Sequence, residues 1–457
     1  MGKLLLKILI TSHQFLPKHN SGTEILTFET GKGLQALGHE VKVVTGLHAQ
    51  DIREGDQAHN YEIAGMEIFV LQPEPTQLRR GIVRNLQYQN DSLATEFGKI
   101  LDSYRPDIVH FFHLHHLSFT FIDECVKRNI KIFLTPTAFW PICPYSKLLL
   151  PDQQICTGPS TDRMNCVRHY LYGRKNIFAR LLRNLPTRWL KKAMDFFSRY
   201  PSWYQNLPFS ISHIFINAVA ATNYFGYVFT RMLMVDRVIV PNPFMADLLV
   251  NYGLDKKNVH VLPYGVNRAY HKSTGLPQSP RGEKLTLGFI GSLSSHKGLH
   301  ILIDALMQLP DLPLAVKIYG EPSSSEYVDQ IKRSIIHDKR ISFLGSFRNE
   351  KIGEILDGLD AIVVPSIWLE NSPLVIQSAQ ASNCPVIASD VKGINSFISH
   401  GDNGLLFPMG DSRELASHIV DLIDNPILLP RLRAKARTPL SIEDYCNSLD
   451  RQYREVV

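Results

Sequence analysis

One segment of the sequence combines residue types that suit a phosphate-bearing ligand. Residues 362–390 hold an apolar stretch, then Glu370 to Pro373, then a helical pattern and a second apolar stretch. This order predicts a buried strand, a loop, a helix opened by Glu370-Asn371-Ser372-Pro373, and another strand. Pro373 fits the first helical turn, which does not need its missing N–H, and the unpaired N–H groups there attract anions. A carboxylate beside such amides suits a ligand with both hydroxyls and phosphate.

A second segment, from Gly291 to Gly298, suits the same kind of ligand. It follows an apolar stretch and opens a helical pattern. Lys297 can place a positive charge on a diphosphate, and Gly291 lets a phosphate approach the backbone because it has no side chain. The alternative is a surface lysine at the start of a helix.

Two further candidates lie near the N-terminus. His13 follows the first apolar stretch, and Ser21, Gly22, Thr23 and Glu24 begin a helical pattern. Ser21 and Glu24 have the spacing of a capping box, so their role could be to stabilise the helix start. A lone histidine could equally be structural.

Three cysteines and a histidine form a candidate metal site. Cys143, Cys156, Cys166 and His169 follow the pattern C-x12-C-x9-C-x2-H. Three thiolates and one imidazole suit tetrahedral zinc, although only the C-x2-H pair is tightly spaced. The alternative is a set of free or structural thiols. Disulfides are not expected, because the chain is expected to be cytoplasmic.

The elements that must position these residues alternate between strand and helix. Apolar stretches alternating with helical patterns predict an α/β fold of doubly wound parallel sheets, which bind ligands at the carboxyl ends of their strands. The predicted strands lie at 7–12, 39–46, 66–73, 106–113, 130–136, 236–242, 259–265, 285–293, 314–320, 340–347, 361–366, 385–389 and 404–407.

The rhythm of strands and helices also predicts the domains. A first Rossmann-like domain is expected at 1–272, with an insertion at 141–235 where the alternation breaks. Residues 273–284 are rich in Pro, Gly and Ser and are expected to be a linker. A second Rossmann-like domain is expected at 285–435, followed by a C-terminal helix at 436–457.

The insertion concentrates the positive charge of the chain. Residues 170–235 contain nine Lys or Arg and one acid, a net charge of +8, whereas the whole chain carries +6. A helix there would place Phe178, Leu181, Leu182 and Leu185 on one face, and Trp189 and Trp203 add interfacial character. This combination suits an anionic membrane surface. The alternatives are a solvated face packed on the domain or a surface for a protein partner, and the apolar stretch 209–235 is expected to be buried or shallowly inserted.

Composition excludes other classes of protein. An apolar content of 44% and a charged content of 20% are typical of globular proteins, and no uninterrupted apolar run is long enough to span a membrane. The sequence carries no nucleic-acid-binding motif, so no nucleic-acid partner is expected. The first residues predict a strand rather than a signal peptide. We therefore expect a cytoplasmic protein, with peripheral contact at the inner membrane face if the insertion binds lipid.

Several of these motifs together resemble glycosyltransferase family 4. They are Gly291-Ser292-Leu293 with Lys297-Gly298, the FLG triplet that ends at Gly345, and PSIWLENSPLVI with PVIAS. HQFLPKHNSGTE and LGHEVKVVTG are similar to the family's opening. The resemblance covers residues 7–140 and 236–412 and implies the GT-B fold, two Rossmann-like domains facing a central cleft.

The resemblance also implies roles for individual residues. It implies a nucleotide-diphosphate sugar as donor, a glycan or lipid-linked acceptor, retention of configuration in polysaccharide or glycan biosynthesis, and no metal in the chemistry. Glu370, Lys297 and His13 are the implied catalytic residues, and Thr137 and Trp140 the implied acceptor-side residues. The implied donor-binding residues are Ser21, Gly22, Glu24, Gly291, Ser292, Gly345, Asn371, Ser372, Pro373, Leu374, Val375 and Ser378.

The sequence departs from the family at several positions expected to line the cleft. The family usually has Arg at 292, Glu at 378, and His-Asp at 137–138, where this chain has Ser, Ser and Thr-Ala. Lys392 and Ser396 also replace the family's Gly and Glu. Two alternatives therefore stay open, a catalytically impaired scaffold or regulatory subunit of a glycan-assembly complex and a nucleotide-sugar epimerase.

Overall fold

The chain divides into two compact units. The computed structural model describes residues 5–46, 59–72, 88–114, 117–271, 284–323 and 325–457. Unit 1 takes Met1–Val240, Leu248–Val261 and Asn447–Val457, and unit 2 takes Pro241–Asp247 and Leu262–Cys446.

Unit 1 is built on a parallel sheet. Among the described residues, eight strands pair in the order β3-β4-β2-β1-β5-β6-β7-β8, and only β3 runs antiparallel to its neighbour. The strands are Lys7–Ser12 (β1), Glu40–Gly46 (β2), Tyr61–Ile63 (β3), Met66–Leu71 (β4), Ile108–Phe111 (β5), Lys131–Leu134 (β6), Arg237–Val240 (β7) and Val259–Val261 (β8). All four residues of β5 are buried, because helices cover both faces of a parallel sheet.

The insertion between β6 and β7 is helical. The helices of unit 1 are Gly22–Ala36 (α1), Asp91–Tyr104 (α2), Thr120–Lys127 (α3), Met164–Tyr172 (α4), Ile177–Asn184 (α5), Thr187–Arg199 (α6), Ser202–Gln205 (α7) and Phe209–Met232 (α8). Helices α4 to α8 share an apolar core that includes Leu171, Leu190, Met194, Ile214 and Ala218. The insertion is therefore a folded helical subdomain, and α8 contributes to its core.

Unit 2 repeats the parallel design. Its described strands pair in the order β11-β10-β9-β12-β13-β14, and all pairs are parallel. They are Leu285–Ile290 (β9), Leu314–Tyr319 (β10), Ile341–Gly345 (β11), Ala361–Val364 (β12), Val386–Ser389 (β13) and Leu405–Phe407 (β14). The remaining helices are Pro243–Asn251 (α9), Leu299–Met307 (α10), Ser325–Ser334 (α11), Ile352–Asp357 (α12), Leu374–Ala381 (α13), Ser412–Asp424 (α14), Leu428–Ala434 (α15) and Ile442–Arg454 (α16).

The observed division differs from the expected domain boundaries. Unit 2 already begins at Leu262, before the boundary expected at 272, and the division between the units passes through α9 and α16. Residues 447–457, expected as part of a separate C-terminal helix, belong to unit 1. The expected linker 273–284 lies outside the described residues apart from Lys284.

No helix in the described ranges is long and apolar enough to cross a membrane.

Candidate functional site

Two neighbouring strands of unit 2 carry the candidate site at their carboxyl ends. The loop with Lys297 follows β9, and the loop with Glu370 follows β12, which pairs with β9. Strand β9 pairs on its other side with β10, the next strand along the chain. The chain order of the strands therefore reverses at β9, and such switch points are where open parallel sheets bind ligands.

Glu370 is the centre of this site. Its Oε1 accepts hydrogen bonds from Lys297 Nζ at 2.7 Å, Ser366 Oγ at 2.7 Å and Trp368 Nε1 at 2.8 Å. Glu370 is 3% exposed, so these donors replace the water that a buried carboxylate would otherwise lose. The arrangement holds a negative charge and a lysine side by side in a fixed geometry.

Lys297 keeps access to solvent. Its side chain is 25% exposed, and Nζ also lies 5.0 Å from the centre of the Trp368 ring. Gly298, which follows it, has φ of +74°, and a Cβ there would lie 1.8 Å from the carbonyl oxygen of Pro365. The close approach of the two loops at Gly298 places the lysine beside the glutamate.

The helix begins later than the sequence predicted. Helix α13 starts at Leu374 with Pro373 as its N-cap residue, so Glu370, Asn371 and Ser372 precede the helix. The expectation that Glu370 opens the helix, and that Pro373 lies within its first turn, is wrong. A hydrogen bond to a distant residue holds the loop instead: the Asn371 side-chain amide donates to Tyr264 Oη at 3.1 Å.

The other expected donor-binding residues of unit 2 lie at the same edge of the sheet. Gly291 follows β9 and Gly345 ends β11, and a Cβ at either position would meet no described atom within 4 Å. Ser292 Oγ lies 3.3 Å from Ser294 Oγ. Leu374, Val375 and Ser378 of α13 are partly buried. Ser372 accepts a hydrogen bond from Gln377 Nε2 at 2.9 Å, which fixes the loop to the helix.

Unit 1 places two histidines at the carboxyl ends of adjacent strands. His13 follows β1 and His113 follows β5, which pairs with β1. Their ring centres lie 4.0 Å apart, and His13 Nδ1 is 3.7 Å from Glu24 Oε1. Sequence reasoning found His13 but missed His113, although it follows a predicted strand just as His13 does.

Glu24, an expected donor-binding residue, lies in a buried position on α1. It is fully buried, and burial raises the pKa of its carboxyl above the ordinary value, partly offset by hydrogen bonds from its own backbone amide and from Gln14. The buried carboxyl lies beside His13, and the donor-binding role of Glu24 stays a prediction. Ser21 is the N-cap residue of α1 without a side-chain capping bond, so the predicted capping box does not form, while Ser21 and Gly22 are exposed.

The two expected acceptor-side residues, Thr137 and Trp140, differ in burial. Thr137 is half-buried; it accepts from Thr23 Oγ1 at 2.9 Å and donates to the carbonyl of Phe112 at 3.1 Å. Trp140 is completely buried and its ring packs 5.5 Å from that of His113. Trp140 therefore packs against His113, and its acceptor-side role stays a prediction.

The candidate zinc ligands lie in one region of unit 1. Burial, with a smaller contribution from the neighbouring thiols of Cys143 and Cys156, raises the pKa of Cys166 to about 12. The Gly158 N–H donates to Cys156 Sγ at 3.4 Å, while His169 stacks on Tyr145 at 3.8 Å between ring centres. Within the described ranges, no group of three or more His, Cys, Asp or Glu side chains has the arrangement of a metal site. The zinc site stays a prediction.

Two residues of the PSIWLENSPLVI segment contribute to the site, although sequence analysis did not identify them as site residues. Ser366 and Trp368 both donate to Glu370. Their spacing of four and two residues before the glutamate was a usable signal, because a loop that turns back between a strand and a helix can bring such neighbours onto one carboxylate.

Sequence profiles of known families match both units. The profile described as Glycosyltransferase Family 4 matches residues 20–200, and the profile described as Glycosyl transferases group 1 matches residues 284–425. The D-inositol 3-phosphate glycosyltransferase of Corynebacterium efficiens is 30% identical over 198 residues, which are 40% of this chain and 46% of that protein. The enzyme of the same name from Rhodococcus erythropolis is 26% identical over 200 residues, 40% of this chain and 45% of that protein. The match thus spans about half the length of these relatives.

Solved structures with the same fold cover nearly the whole chain. HepE of Anabaena, crystallised with UDP and glucose, is 16% identical with a TM-score of 0.61, covering 98% of this chain and 99% of that one. Sucrose-phosphate synthase of Thermosynechococcus elongatus is 18% identical with a TM-score of 0.66, covering 99% of both chains. At these identities the likeness establishes the fold. The chain belongs to glycosyltransferase family 4 and has the GT-B fold.

Proposed function

We propose that this protein transfers a sugar, a hexose in the first instance, from a nucleotide-diphosphate donor to an acceptor, with retention of configuration. The observation that carries the proposal is the pairing of Lys297 with Glu370 at the switch point of the second sheet. A lysine can hold a diphosphate and a carboxylate can accept from sugar hydroxyls. Both groups lie within reach of one ligand because they already touch.

Lys297 is proposed to stabilise the leaving diphosphate. In the ligand-free pair its ammonium donates to Glu370, and an arriving diphosphate offers a stronger acceptor of higher charge. The ammonium then turns to the phosphate, while Ser366 and Trp368 continue to hold Glu370 for the sugar hydroxyls. Stabilising the charge that develops on the leaving group lowers the barrier without a metal ion, so we propose that none takes part in the chemistry.

The donor is proposed to carry uridine. HepE was crystallised with UDP and with UDP-glucose, and its fold matches almost all of this chain. Ser378 stands where a family glutamate would bind the ribose hydroxyls, so ribose contact here is proposed to rely on a neutral hydroxyl, which bonds more weakly than a carboxylate.

The acceptor is proposed to be a glycan or a lipid-linked glycan in polysaccharide assembly. His13 and His113 are proposed to serve the acceptor hydroxyl, since one imidazole is partly accessible and the other is buried against it. We further propose that the protein acts at the cytoplasmic face of a membrane as a peripheral protein.

Donor binding and turnover test the proposal separately. The melting temperature is measured with UDP, GDP and their sugars; a ligand at about 100 times its Kd stabilises the folded state by roughly 2.7 kcal/mol. Release of nucleotide from the donor is then followed with and without glycan or lipid-linked acceptors. Absence of stabilisation by all of these nucleotides would overturn the proposal.

A second candidate function is a GT-B scaffold that binds a donor without transferring it. It is favoured by Thr137, whose hydroxyl is committed to Thr23 and to the Phe112 carbonyl where the family carries a histidine. Stabilisation by a nucleotide-sugar without nucleotide release, under every acceptor condition, would select this candidate over the enzyme.

A further inference from the structure

Helices α5 to α7 expose large apolar side chains that the core of the insertion does not use. Ile177 and Leu181 of α5 are 67% and 61% exposed, and Trp203 of α7 is 67% exposed. The same helices bury other residues, such as Leu182 and Leu190, in the shared core. Packing of the core therefore does not explain why these apolar side chains are present on the surface. We define the insertion surface by six residues: Ile177, Leu181, Trp189, Lys192, Phe196 and Trp203.

The exposed rings of this surface lie beside one another. Trp189 and Phe196 are two turns apart on α6, and Phe196 packs with its ring centre 5.6 Å from that of Trp203. Tyr200 joins them at 5.2 Å from Phe196. On α5, Ile177 and Leu181 are one turn apart and share a face. The apolar groups thus form clusters, and clustered apolar exposure marks an interaction site.

Cations surround the apolar groups. Lys192 Nζ lies 5.0 Å and Arg188 Cζ 5.7 Å from the Trp189 ring centre, and both side chains are exposed. The one acid between residues 170 and 235 is Asp195, which pairs with Lys191 at 3.2 Å. The surface therefore carries an excess of positive charge interleaved with aromatic rings.

We propose that the insertion surface docks on an anionic lipid bilayer. Aromatic rings and aliphatic side chains enter the boundary between headgroups and acyl chains, while lysine and arginine reach anionic headgroups. A second copy of the chain is disfavoured as the occupant because two segments 170–235, each of net charge +8, would then face each other. A nucleic acid would neutralise the charge but offers little to Ile177 and Leu181.

This docking deepens the proposed function and, in one respect, depends on it. If the protein is a glycosyltransferase, a bilayer-bound insertion favours a lipid-linked acceptor over a soluble glycan. Docking itself does not require catalysis, so vesicle binding can fail or succeed independently of sugar transfer.

Tryptophan fluorescence offers a direct test with the full chain. Of the four tryptophans, Trp140 and Trp368 are buried, whereas Trp189 and Trp203 are 50% and 67% exposed. Vesicles of equal phosphatidylcholine and phosphatidylglycerol should shift the emission to the blue, and lipids with a quencher in the acyl chain should quench it. Vesicles of phosphatidylcholine alone should bind much more weakly. Equal binding to both vesicles, or no shift, would overturn the proposal.

Matched variants locate the contact. Leu181→Ser with Phe196→Ser should abolish most vesicle binding and retain both reporter tryptophans. Arg188→Gln with Lys192→Gln should weaken binding roughly fivefold for each cation removed. Ile336→Ser with Ile427→Ser is the control, because these residues of unit 2 are 73% and 70% exposed and lie outside the insertion surface.

Two outcomes would contradict the assignment. A control variant that loses binding as fully as the Leu181 and Phe196 variant would show that exposed apolar groups in general, and not this surface, bind the vesicle. Concentration-dependent dimerisation in the absence of lipid, abolished by the Leu181 and Phe196 variant, would show that a second copy covers the surface. Nucleotide-induced stabilisation measured on the same variants reports on the donor site separately.

Discussion

Glu370 shows at the scale of one residue how the site is prepared for a ligand. A carboxylate that is 3% exposed must be compensated, and three described donors converge on one of its oxygens. Hydrogen bonds to a charged group contribute about 1.5–3 kcal/mol each. Two of the donors, Ser366 and Trp368, belong to the same loop as Glu370. If Lys297 turns towards a ligand, these two donors still stabilise the Glu370 carboxylate.

The Lys297→Ala variant tests this division of roles. We expect the Kd for the nucleotide-sugar to rise roughly 10- to 100-fold, since one charge-assisted bond is lost, and turnover to fall with it. The fold should persist because Ser366 and Trp368 still donate to Glu370. Isothermal titration calorimetry and the nucleotide-release assay measure the two effects.

Lys332→Ala provides the matched control, because Lys332 is an exposed lysine of α11 in the same unit. It should leave donor affinity and turnover unchanged. Sugar transfer by Lys297→Ala at the rate of the unmodified protein would remove the proposed role of the lysine.

His110 predicts a pH dependence of stability in unit 1. Its Nδ1 lies 2.6 Å from Tyr453 Oη and its Nε2 2.8 Å from Thr135 Oγ1, and burial lowers its pKa to about 3. Above the ordinary pKa of about 6.5 the imidazole is neutral in both states and its contribution is fully present. As the pH falls below that value the unfolded chain gains a proton that the folded chain does not, so stability is lost towards pH 3.

When the pH falls from 7 to 5, the His110 imidazole alone should lower the free energy of unfolding by about 2 kcal/mol. Urea unfolding at the two pH values measures the change. His110→Gln, which cannot take up the proton, should flatten the dependence by that amount, whereas His337→Gln at an exposed position should not. An unchanged slope in His110→Gln would contradict the assignment.

At the scale of elements, strands were easier to predict than helix starts. All thirteen predicted strands exist, and those buried on both faces, such as β5 and β12, are short apolar stretches as a parallel sheet requires. Strand β3 was missed because its residues 61–63 are only partly buried. The start of α13 was predicted too early because the sequence signals for a helix N-terminus cannot tell a capping loop from a first turn; the bonds of Asn371 to Tyr264 and Asn242 decide it.

The apolar residues predicted to share one face of the helix at α5 are divided between the core and the surface. Leu182 is buried and Leu185 half-buried, but Phe178 and Leu181 are exposed. The core of the insertion uses a narrower stripe than helical spacing suggests, since Ala179 and Leu182 suffice to pack it. Which apolar residues a helix buries depends on partners that periodicity does not reveal.

Gly298 links the two loops of the candidate site, and its replacement tests that link. In Gly298→Ala the Cβ would lie 1.8 Å from the Pro365 carbonyl oxygen at φ of +74°, so the loops must separate. We expect a destabilisation of about 3 kcal/mol or more and loss of donor binding, measured by thermal unfolding with and without nucleotide.

Gly401→Ala is the control that introduces backbone strain at a positive φ without a clash like that between a Cβ at 298 and the Pro365 carbonyl. Gly401 has φ of +75°, and a Cβ there would meet no described atom within 4 Å, so this variant should lose only about 1–2 kcal/mol and still bind donor. Equal effects of the two substitutions would mean that the contact with Pro365 is unimportant.

Three thiols of the insertion, those of Cys143, Cys156 and Cys166, are candidate zinc ligands. Burial raises the pKa of the Cys143 thiol, and hydrogen bonds from the backbone amides of Leu148, Tyr145 and Lys147 partly offset this effect. On the zinc hypothesis, protein purified without chelator contains about one zinc per chain and Cys143→Ser loses it, whereas Cys384→Ser, a buried cysteine of unit 2, does not. Zinc-free protein would leave these residues as buried thiols.

At the scale of the whole molecule, the C-terminal segment was the part that sequence could not place. Residues 447–457 belong to unit 1 although they follow unit 2 in the chain. Helical periodicity predicts that α16 exists but not which sheet it covers, because that depends on partners hundreds of residues away. His39, for example, pairs with Asp450 at 2.9 Å, and both side chains are buried.

Truncation after Cys446 tests whether unit 1 needs its distant segment. Tyr453 and Leu449 are fully buried, and removal of large buried side chains costs about 3–5 kcal/mol each, so unit 1 should lose most of its stability. Hydrogen exchange should show the loss in the amides of β1 and β5, with those of β9 and β12 protected as before. Removal of Val456 and Val457 alone is the control, since Val457 is exposed and the buried contacts of Tyr453 remain. Undiminished protection of β1 and β5, or an equal loss in β9 and β12, would contradict the assignment of this segment to unit 1.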